Sequence, residues 1–232
     1  MKAAFLQGMN TERAARRACV LVTDLAHGAQ RLVLADAIAA DPLHVELETA
    51  LRMGKSGMVE HDTGRFFLTV QAPPLRIVVV GAVHVSQALA SMAHLLGHRV
   101  IVVDPRTAFA SKDRFPDADL LAQWPDEALP VVGIDRYTAF VALTHDPKID
   151  DPGLLAALKS DCFYIGALGS RKTHAKRLER LGAAGFSADR LARIHAPIGL
   201  DIGAVSPAEI ALSILAEITA AQRKKPERSA GL

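Results

Sequence analysis

RIVVVGAVHVSQALASMAHLLGHRVIVVDPR, residues 76–106, is the stretch that decides the fold. The apolar run at 77–80 is short and β-branched, which predicts a strand buried on both faces. Apolar residues at 85–96 recur at helical spacing, and Gly97 follows where a left-handed cap is favourable. A second apolar run occupies 100–103. The order strand, helix, strand predicts a βαβ unit of a parallel sheet.

The turn after the first strand is similar to the dinucleotide-binding pattern G-x-G-x-x-G but keeps only its first glycine. Gly81 occupies that position, and Val83 and Ser86 replace the other two glycines. Because the middle glycine lets the backbone approach a pyrophosphate, Val83 would crowd or shift a dinucleotide in the usual pose. Asp104 follows Gly81 at about the 20-residue distance of a ribose-binding carboxylate. The unit therefore predicts nucleotide or phosphate binding, with a purely structural βαβ unit as the alternative.

The composition excludes several classes of protein. Half of the 232 residues are hydrophobic, and no apolar run reaches the roughly 18 residues of a membrane span. The net charge of +2, without a basic stripe, argues against nucleic acid as a partner. Cys19 and Cys162 are too few for a disulfide framework or a cysteine-based zinc site. With no signal-peptide pattern at the N-terminus, we expect a cytoplasmic protein.

Ala72-Pro73-Pro74 is the clearest linker, because proline cannot continue a strand. It predicts a small α+β lobe at 1–72 and an α/β domain with a Rossmann-like parallel sheet at 73–232. A capping box at Ser206 predicts a final helix to about residue 222, followed by a disordered tail from about residue 223.

Polar residues follow each predicted strand of the second domain. Further buried strands are expected at 139–143 and 163–166. In an open parallel sheet, ligands bind outside the carboxyl ends of the strands, near the point where the strand order reverses. The predicted cofactor-binding residues are therefore those that follow the strands: Gly81, Ala82, Val83, His84, Val85, Asp104, Arg106, Thr144, His145, Asp146, Gly166, Gly169, Ser170 and Arg171.

Few of these residues suggest chemistry. His145-Asp146 could be a base with its acid, but adjacent residues leave a strand in opposite directions, which favours a loop-fixing or ligand-contacting role. His84 could contact a ligand or cap the helix. Cys162 is interpreted as a core residue rather than a sulfur-handling thiol. His174 and His195 are isolated, so neither a metal site nor a catalytic residue is predicted.

Two helices are predicted beyond residue 145. The first is expected to start at Asp150-Asp151-Pro152, because proline suits the first helical position. The second is a basic amphipathic helix after residue 174. Its spacing places Ala175, Leu178 and Leu181 inward and Lys176, Arg177 and Arg180 outward, as a solvated face.

Five segments between residues 74 and 222 resemble one family. They are GAVHVSQALA, VVDPRTAFASKDRFP, LTHDPK, YIGALGSRKTHA and HAPIGLDIGA. Together they are similar to the XdhC/CoxI family, the accessory proteins of xanthine dehydrogenase and related molybdenum hydroxylases. The resemblance implies a Rossmann-like domain behind a smaller N-terminal lobe, assembled as a homodimer.

The resemblance also implies a function. A family member would bind the molybdenum cofactor, which can carry a nucleotide, and would assist its sulfuration and its insertion into the apoenzyme. The implied partners are an apo molybdenum hydroxylase, a cysteine desulfurase-type sulfurase and a molybdenum cofactor nucleotidyl transferase. Two alternatives stay open. One is an FAD- or NAD-binding oxidoreductase or dinucleotide-dependent maturation factor, and the other is a scaffold that binds only the hydroxylase.

Overall fold

The computed structural model describes residues 3–224, and the chain divides into two compact units between Pro73 and Pro74. Each unit has its own hydrophobic core. The tail that the sequence predicts to be disordered lies outside the described residues after Lys224. No helix within residues 3–224 is long and apolar enough to cross a membrane.

The first unit is a small antiparallel sheet with helices, which confirms the predicted α+β lobe. Its strands pair in the order β2-β1-β4-β3 and comprise β1 (Cys19–Asp24), β2 (Gln30–Leu34), β3 (Gly57–His61) and β4 (Gly64–Gln71). Its helices are α1 (Ala3–Ala14) and α2 (His44–Met53), with a 3₁₀ turn at Ile38–Ala40 between them. Val20, Val22, Leu47 and Leu68 form its core.

The second unit is built on a six-stranded sheet in which every neighbouring pair is parallel. The strand order is β10-β9-β8-β5-β6-β7. The strands are β5 (Arg76–Val80), β6 (Arg99–Val103), β7 (Asp119–Leu121), β8 (Thr138–Ala142), β9 (Tyr164–Ala167) and β10 (Ile194–His195). This is the doubly wound order of a Rossmann fold, so the predicted fold class is confirmed.

Helices cover both faces of this sheet. They are α3 (His84–Leu95), α4 (Pro125–Val132), α5 (Pro147–Lys159), α6 (Arg171–Ala183), α7 (Ala188–Leu191) and α8 (Pro207–Arg223). Leu89 of α3 and Ile214 of α8 share one core layer, whereas Leu154 of α5 and Leu181 of α6 share the other. Buried on both faces, the central strands are continuous apolar runs, as parallel strands usually are.

The strand order reverses beside β5. The chain adds β6 and β7 on one side of β5, then returns to place β8 on its other side. The loops after β5 and β8 therefore leave the sheet in different directions and border a crevice, the usual ligand position in this fold.

Helix α5 starts earlier than the sequence pattern predicts. Its N-cap is Asp146, whose carboxylate accepts a hydrogen bond from the Lys148 amide, and Pro147 takes the first helical position. Both Asp-Pro pairs satisfy the same helix-start rule, and the structure uses the first. Pro152 consequently lies inside the helix.

The prediction that Arg177 faces solvent is wrong. Arg177 is only 2% exposed, whereas Ala175, predicted to face inward, is exposed. Leu181 is buried, as predicted. Arg177 stands one turn before Leu181 and therefore shares its face of α6. The residue type suggested an outer position, but the helical spacing determines an inner one.

Candidate functional site

The turn between β5 and α3 approaches the β8–α5 loop so closely that only glycine fits at position 81. Gly81 has a φ of +115°, a conformation that residues with side chains rarely adopt. A Cβ atom there would lie 2.7 Å from the Thr144 methyl carbon and 3.3 Å from the Thr144 nitrogen. The predicted Gly81 and Thr144 are thus brought together across the crevice.

Ser86 closes the same turn from inside. Its hydroxyl accepts a hydrogen bond from the Val83 amide at 2.7 Å and can donate to the Gly81 carbonyl, also at 2.7 Å. Ser86 is fully buried. The residue that replaces the third glycine of the dinucleotide pattern therefore holds the turn in shape, a role that the sequence pattern does not predict.

Asp104 lies at the carboxyl end of β6 with no exposed surface. It accepts hydrogen bonds from the Ala82 amide (2.7 Å) and from the Arg106 amide (2.9 Å). The Arg106 guanidinium donates two more, Nε to Oδ1 at 2.9 Å and Nη2 to Oδ2 at 2.7 Å. Burial raises the pKa of Asp104, but these hydrogen bonds outweigh it, and the pKa is lowered. In this arrangement a ribose hydroxyl reaches Asp104 only if Arg106 moves aside.

The hydrogen bonds of the turn decide which amides remain for a ligand. The Ala82 amide donates to Asp104, and the Val83 amide donates to Ser86. The amides of His84 and Val85 begin α3, and a helix offers its first N–H groups no internal acceptor. They stand at the positive end of the helix dipole, so this end of α3 suits an anionic group.

The β8–α5 loop carries Thr144, His145 and Asp146. Hydrogen bonds to the Asp150 carboxylate of α5 hold Thr144 and His145 in place. The Asp150 carboxylate accepts from the Thr144 hydroxyl at 2.7 Å and from the His145 amide at 3.1 Å. His145 has a φ of +66° and an exposed side chain. Strained backbone in a non-glycine residue is typical of functional loops. Asp146 caps α5 instead of pairing with His145.

The β9–α6 turn places its predicted residues differently. Gly166 is buried, and a Cβ atom there would collide with Ile198, so this glycine allows packing within the core. Gly169 has a φ of +133° and leads into Ser170, whose hydroxyl accepts from the Thr173 amide and caps α6. Arg171 is exposed at the first position of α6.

A network at the carboxyl end of β10 gives His195, which the sequence pattern treats as isolated, an acidic partner. Glu217 of α8 accepts from the Tyr164 hydroxyl at 2.5 Å and from the Gly199 amide at 2.7 Å. Its other oxygen lies 2.9 Å from Nδ1 of His195. Burial raises the pKa of Glu217, but these hydrogen bonds outweigh it and lower the pKa. Only folding joins Glu217 to His195, so no local pattern could reveal the pair.

We expect Glu217→Gln to lower the free energy of unfolding by about 1–3 kcal/mol. The substitution replaces one carboxylate oxygen, which accepts a hydrogen bond, with an NH₂ group that cannot accept one. Urea denaturation followed by circular dichroism measures the change. Glu179→Gln, at an exposed position on α6, is the matched control and should change stability by less than about 0.5 kcal/mol. Equal unfolding midpoints for the two variants would contradict a structural role for the network.

Both cysteines of the described chain are buried. Cys162 precedes β9, at the amino ends of the strands, and burial raises the pKa of its thiol. Cys19 is buried in the first unit, and burial likewise raises its pKa. Among the residues that the structure describes, no group of three or more His, Cys, Asp or Glu side chains could hold a metal ion.

The crevice and its βαβ unit lie within a recognised domain: the profile of the XdhC Rossmann domain matches residues 77–218. The chain belongs to the XdhC family. This match covers more than half of the chain, which confirms the family resemblance that the sequence segments indicate.

Three curated relatives are similar to most of this chain. YqeB of Escherichia coli K12, an uncharacterised protein, is 32% identical over 181 residues, or 75% of this chain and 33% of its own length. PaoD of the same organism, named a molybdenum cofactor insertion chaperone, is 32% identical over 68% of this chain and 43% of its own. A protein of Bacillus subtilis 168, named as a probable xanthine dehydrogenase subunit, is 31% identical over 71% of this chain and 48% of its own. XdhC relatives of this kind are thus longer, and this chain spans about a third to a half of them.

A solved structure shares the fold. The crystal structure of a xanthine dehydrogenase from Bacillus halodurans superposes with a TM-score of 0.68 at 23% identity. The superposition covers 98% of this chain and 66% of the other. At that identity the likeness supports the fold and no statement about function.

Proposed function

We propose that this XdhC chain binds the molybdenum cofactor and assists its insertion into an apo molybdenum hydroxylase. The observation that carries the proposal is the crevice between β5 and β8. It lies where the strand order of the sheet reverses and within the matched family domain. A relative 32% identical is named a molybdenum cofactor insertion chaperone, which supports the same role.

The residues at the crevice fit the phosphate-bearing part of such a cofactor. The first amides of α3 suit a phosphate, and Arg106 and Arg171 add positive charge at the same edge of the sheet. Cys162 lies at the amino ends of the strands, away from this edge. The chain would hold the cofactor through its pterin, phosphate or nucleotide, while the metal keeps the ligands that the cofactor brings. Once delivered, the cofactor supplies the redox centre of the hydroxylase.

Arg106 and Asp104 would respond to what the cofactor carries. For a cofactor without a nucleotide, the ion pair between them would stay closed, and the Arg106 side chain would stay partly exposed. For a dinucleotide form, a ribose hydroxyl would replace the guanidinium on Asp104, and Arg106 would turn towards the phosphates. The chain therefore binds and orients the cofactor, with no turnover of its own.

The partners follow from the same function. Both described thiols are buried, and burial raises the pKa of each, so sulfur for the cofactor would come from a cysteine desulfurase-type partner. A nucleotidyl transferase would supply the cofactor, and the apo hydroxylase would receive it. We propose a cytoplasmic homodimer as the form that meets these partners.

The test is to purify the chain from a host that makes the cofactor, denature it, and identify the released molecule by chromatography, mass spectrometry and metal analysis. We expect a pterin with about one molybdenum per chain. The same preparation from a host that cannot make the cofactor is the control. A flavin or nicotinamide dinucleotide without molybdenum would overturn the proposal in favour of a nucleotide-dependent maturation factor or oxidoreductase. Binding to the hydroxylase without any small molecule would make the chain a scaffold.

A further inference from the structure

A cleft of about 340 Å³ lies between α5 and α6 and is bordered on one side by the β8–α5 loop. It is lined by nine residues, of which four are lysines or arginines and two are carboxylates: His145, Pro147, Asp150, Asp151, Lys172, Thr173, Lys176, Arg177 and Arg180. The role proposed for the crevice between β5 and β8 does not use the lysine and arginine side chains that line this cleft.

Arg177 at the inner wall of the cleft is a buried cation with unused donors. Only 2% of the residue is exposed, and its Nη2 donates to the Leu168 carbonyl at 2.8 Å. Its Nε and Nη1 atoms are buried without a hydrogen-bond partner. Buried polar groups are nearly always paired, and an unpaired buried charge is costly. A ligand that accepts hydrogen bonds from the guanidinium would remove that cost.

The outer wall of the cleft adds three cations at four-residue spacing on α6. Like charges at this spacing repel one another along a helix. Arg180 is neutralised by Asp151, with its guanidinium nitrogens 2.6 and 3.0 Å from the two carboxylate oxygens. Lys172 and Lys176 are exposed and belong to no ion pair within residues 3–224. Two lysines beside a buried arginine thus leave an excess of positive charge that faces the cleft.

Asp150 is the remaining charged group at this wall, and its oxygens are already occupied. They accept from Thr144 and His145, which turns the carboxylate towards the β8–α5 loop. Burial raises its pKa, and this favours the neutral form next to an anion. Arg177 and Asp150 make no ion pair with each other at 4 Å or less within the described chain.

We propose that this cleft is a binding site for a tetrahedral oxyanion of the phosphate class, held by Arg177 and the two lysines. Arginine suits the flat edge of a phosphate through parallel N–H donors, and the lysine ammonium groups add charge. The amides of Arg171 and Lys172 begin α6 and provide further donors near the same wall. This second site goes beyond the proposed function, because it does not require the molybdenum cofactor.

Isothermal titration of the purified chain with inorganic phosphate, at constant ionic strength in chloride, tests the site. We expect saturable binding that Arg177→Gln weakens at least about tenfold, which corresponds to one lost charge-assisted hydrogen bond. Arg99→Gln is the matched control, because it removes the same charge from an exposed residue at the amino end of β6. It should leave the affinity for phosphate within about twofold of the unmodified chain.

A second variant and a second ligand make the result decisive. If Arg177→Gln does not fold, the double variant Lys172→Gln, Lys176→Gln changes only exposed positions and should also weaken binding. Tighter binding of ribose 5-phosphate than of inorganic phosphate would show that the site binds the phosphate group of a larger ligand. Tighter binding of inorganic phosphate would show that it binds the free ion. No saturable binding of either probe, or equal affinity in Arg177→Gln and the unmodified chain, would overturn the inference. None of these outcomes decides which cofactor the chain releases on denaturation, so the proposed function is tested separately.

Discussion

Gly81→Ala is expected to lower the free energy of unfolding by about 2–4 kcal/mol and to abolish retention of the cofactor. The first part of the cost is conformational, since a φ of +115° strains an alanine by about 1–3 kcal/mol. The second part is steric, because the new Cβ atom would lie 2.7 Å from the Thr144 methyl carbon. To relieve that overlap, the β5–α3 turn and the β8–α5 loop must separate, which deforms both walls of the crevice.

Gly185→Ala separates these two contributions. Gly185 also has a positive φ, +95°, but a Cβ atom there meets no atom within 4 Å. It should show only the conformational cost and retain the cofactor at the level of the unmodified chain. Chemical denaturation and the pterin content of the purified variants give the two readouts. If both variants lose the same stability and both keep the cofactor, the contact between Gly81 and Thr144 does not shape the site.

Local patterns were sufficient to predict the framework of this fold. The run at 77–80 and the helical spacing at 85–96 extend over only a few residues, and each decides its own element. The glycine after β5 and the linker at residues 72–74 are also local signals. By contrast, the three-residue strand β7 and the two-residue strand β10 are too short to show a period, so pairing with neighbours defines them.

The candidate site was predicted in part, for a similar reason. The residues that follow each predicted strand identified the loops that meet at the crevice, because the carboxyl ends of parallel strands lie at one edge of a sheet. It did not reveal what each side chain does. Asp104 binds the Ala82 amide, and Glu217 binds His195, over separations of about 20 residues. Such pairs depend on the packed structure, as does the burial of Arg177.

Asp104→Asn is expected to destabilise the chain by about 2–4 kcal/mol at neutral pH. The carboxylate is fully buried and accepts from the Ala82 amide and from the Arg106 guanidinium. Hydrogen bonds to charged groups contribute about 1.5–3 kcal/mol each. The NH₂ group of an asparagine would face at least one of these N–H groups and could not accept its hydrogen bond. Asp119→Asn, in an exposed ion pair with Arg99, is the control and should cost less than about 1 kcal/mol.

The pH dependence gives this prediction a sign that can be checked. Because the hydrogen bonds lower the pKa of Asp104 in the folded chain, the carboxylate stabilises the fold above its unfolded pKa, about 3.9. That contribution is lost as the pH falls through the folded pKa. The difference in unfolding free energy between Asp104→Asn and the unmodified chain should therefore be full at pH 7 and shrink below about pH 4. Urea titrations at several pH values measure it. A difference that stays constant down to about pH 2.5 would show that the charge of Asp104 does not hold the turn.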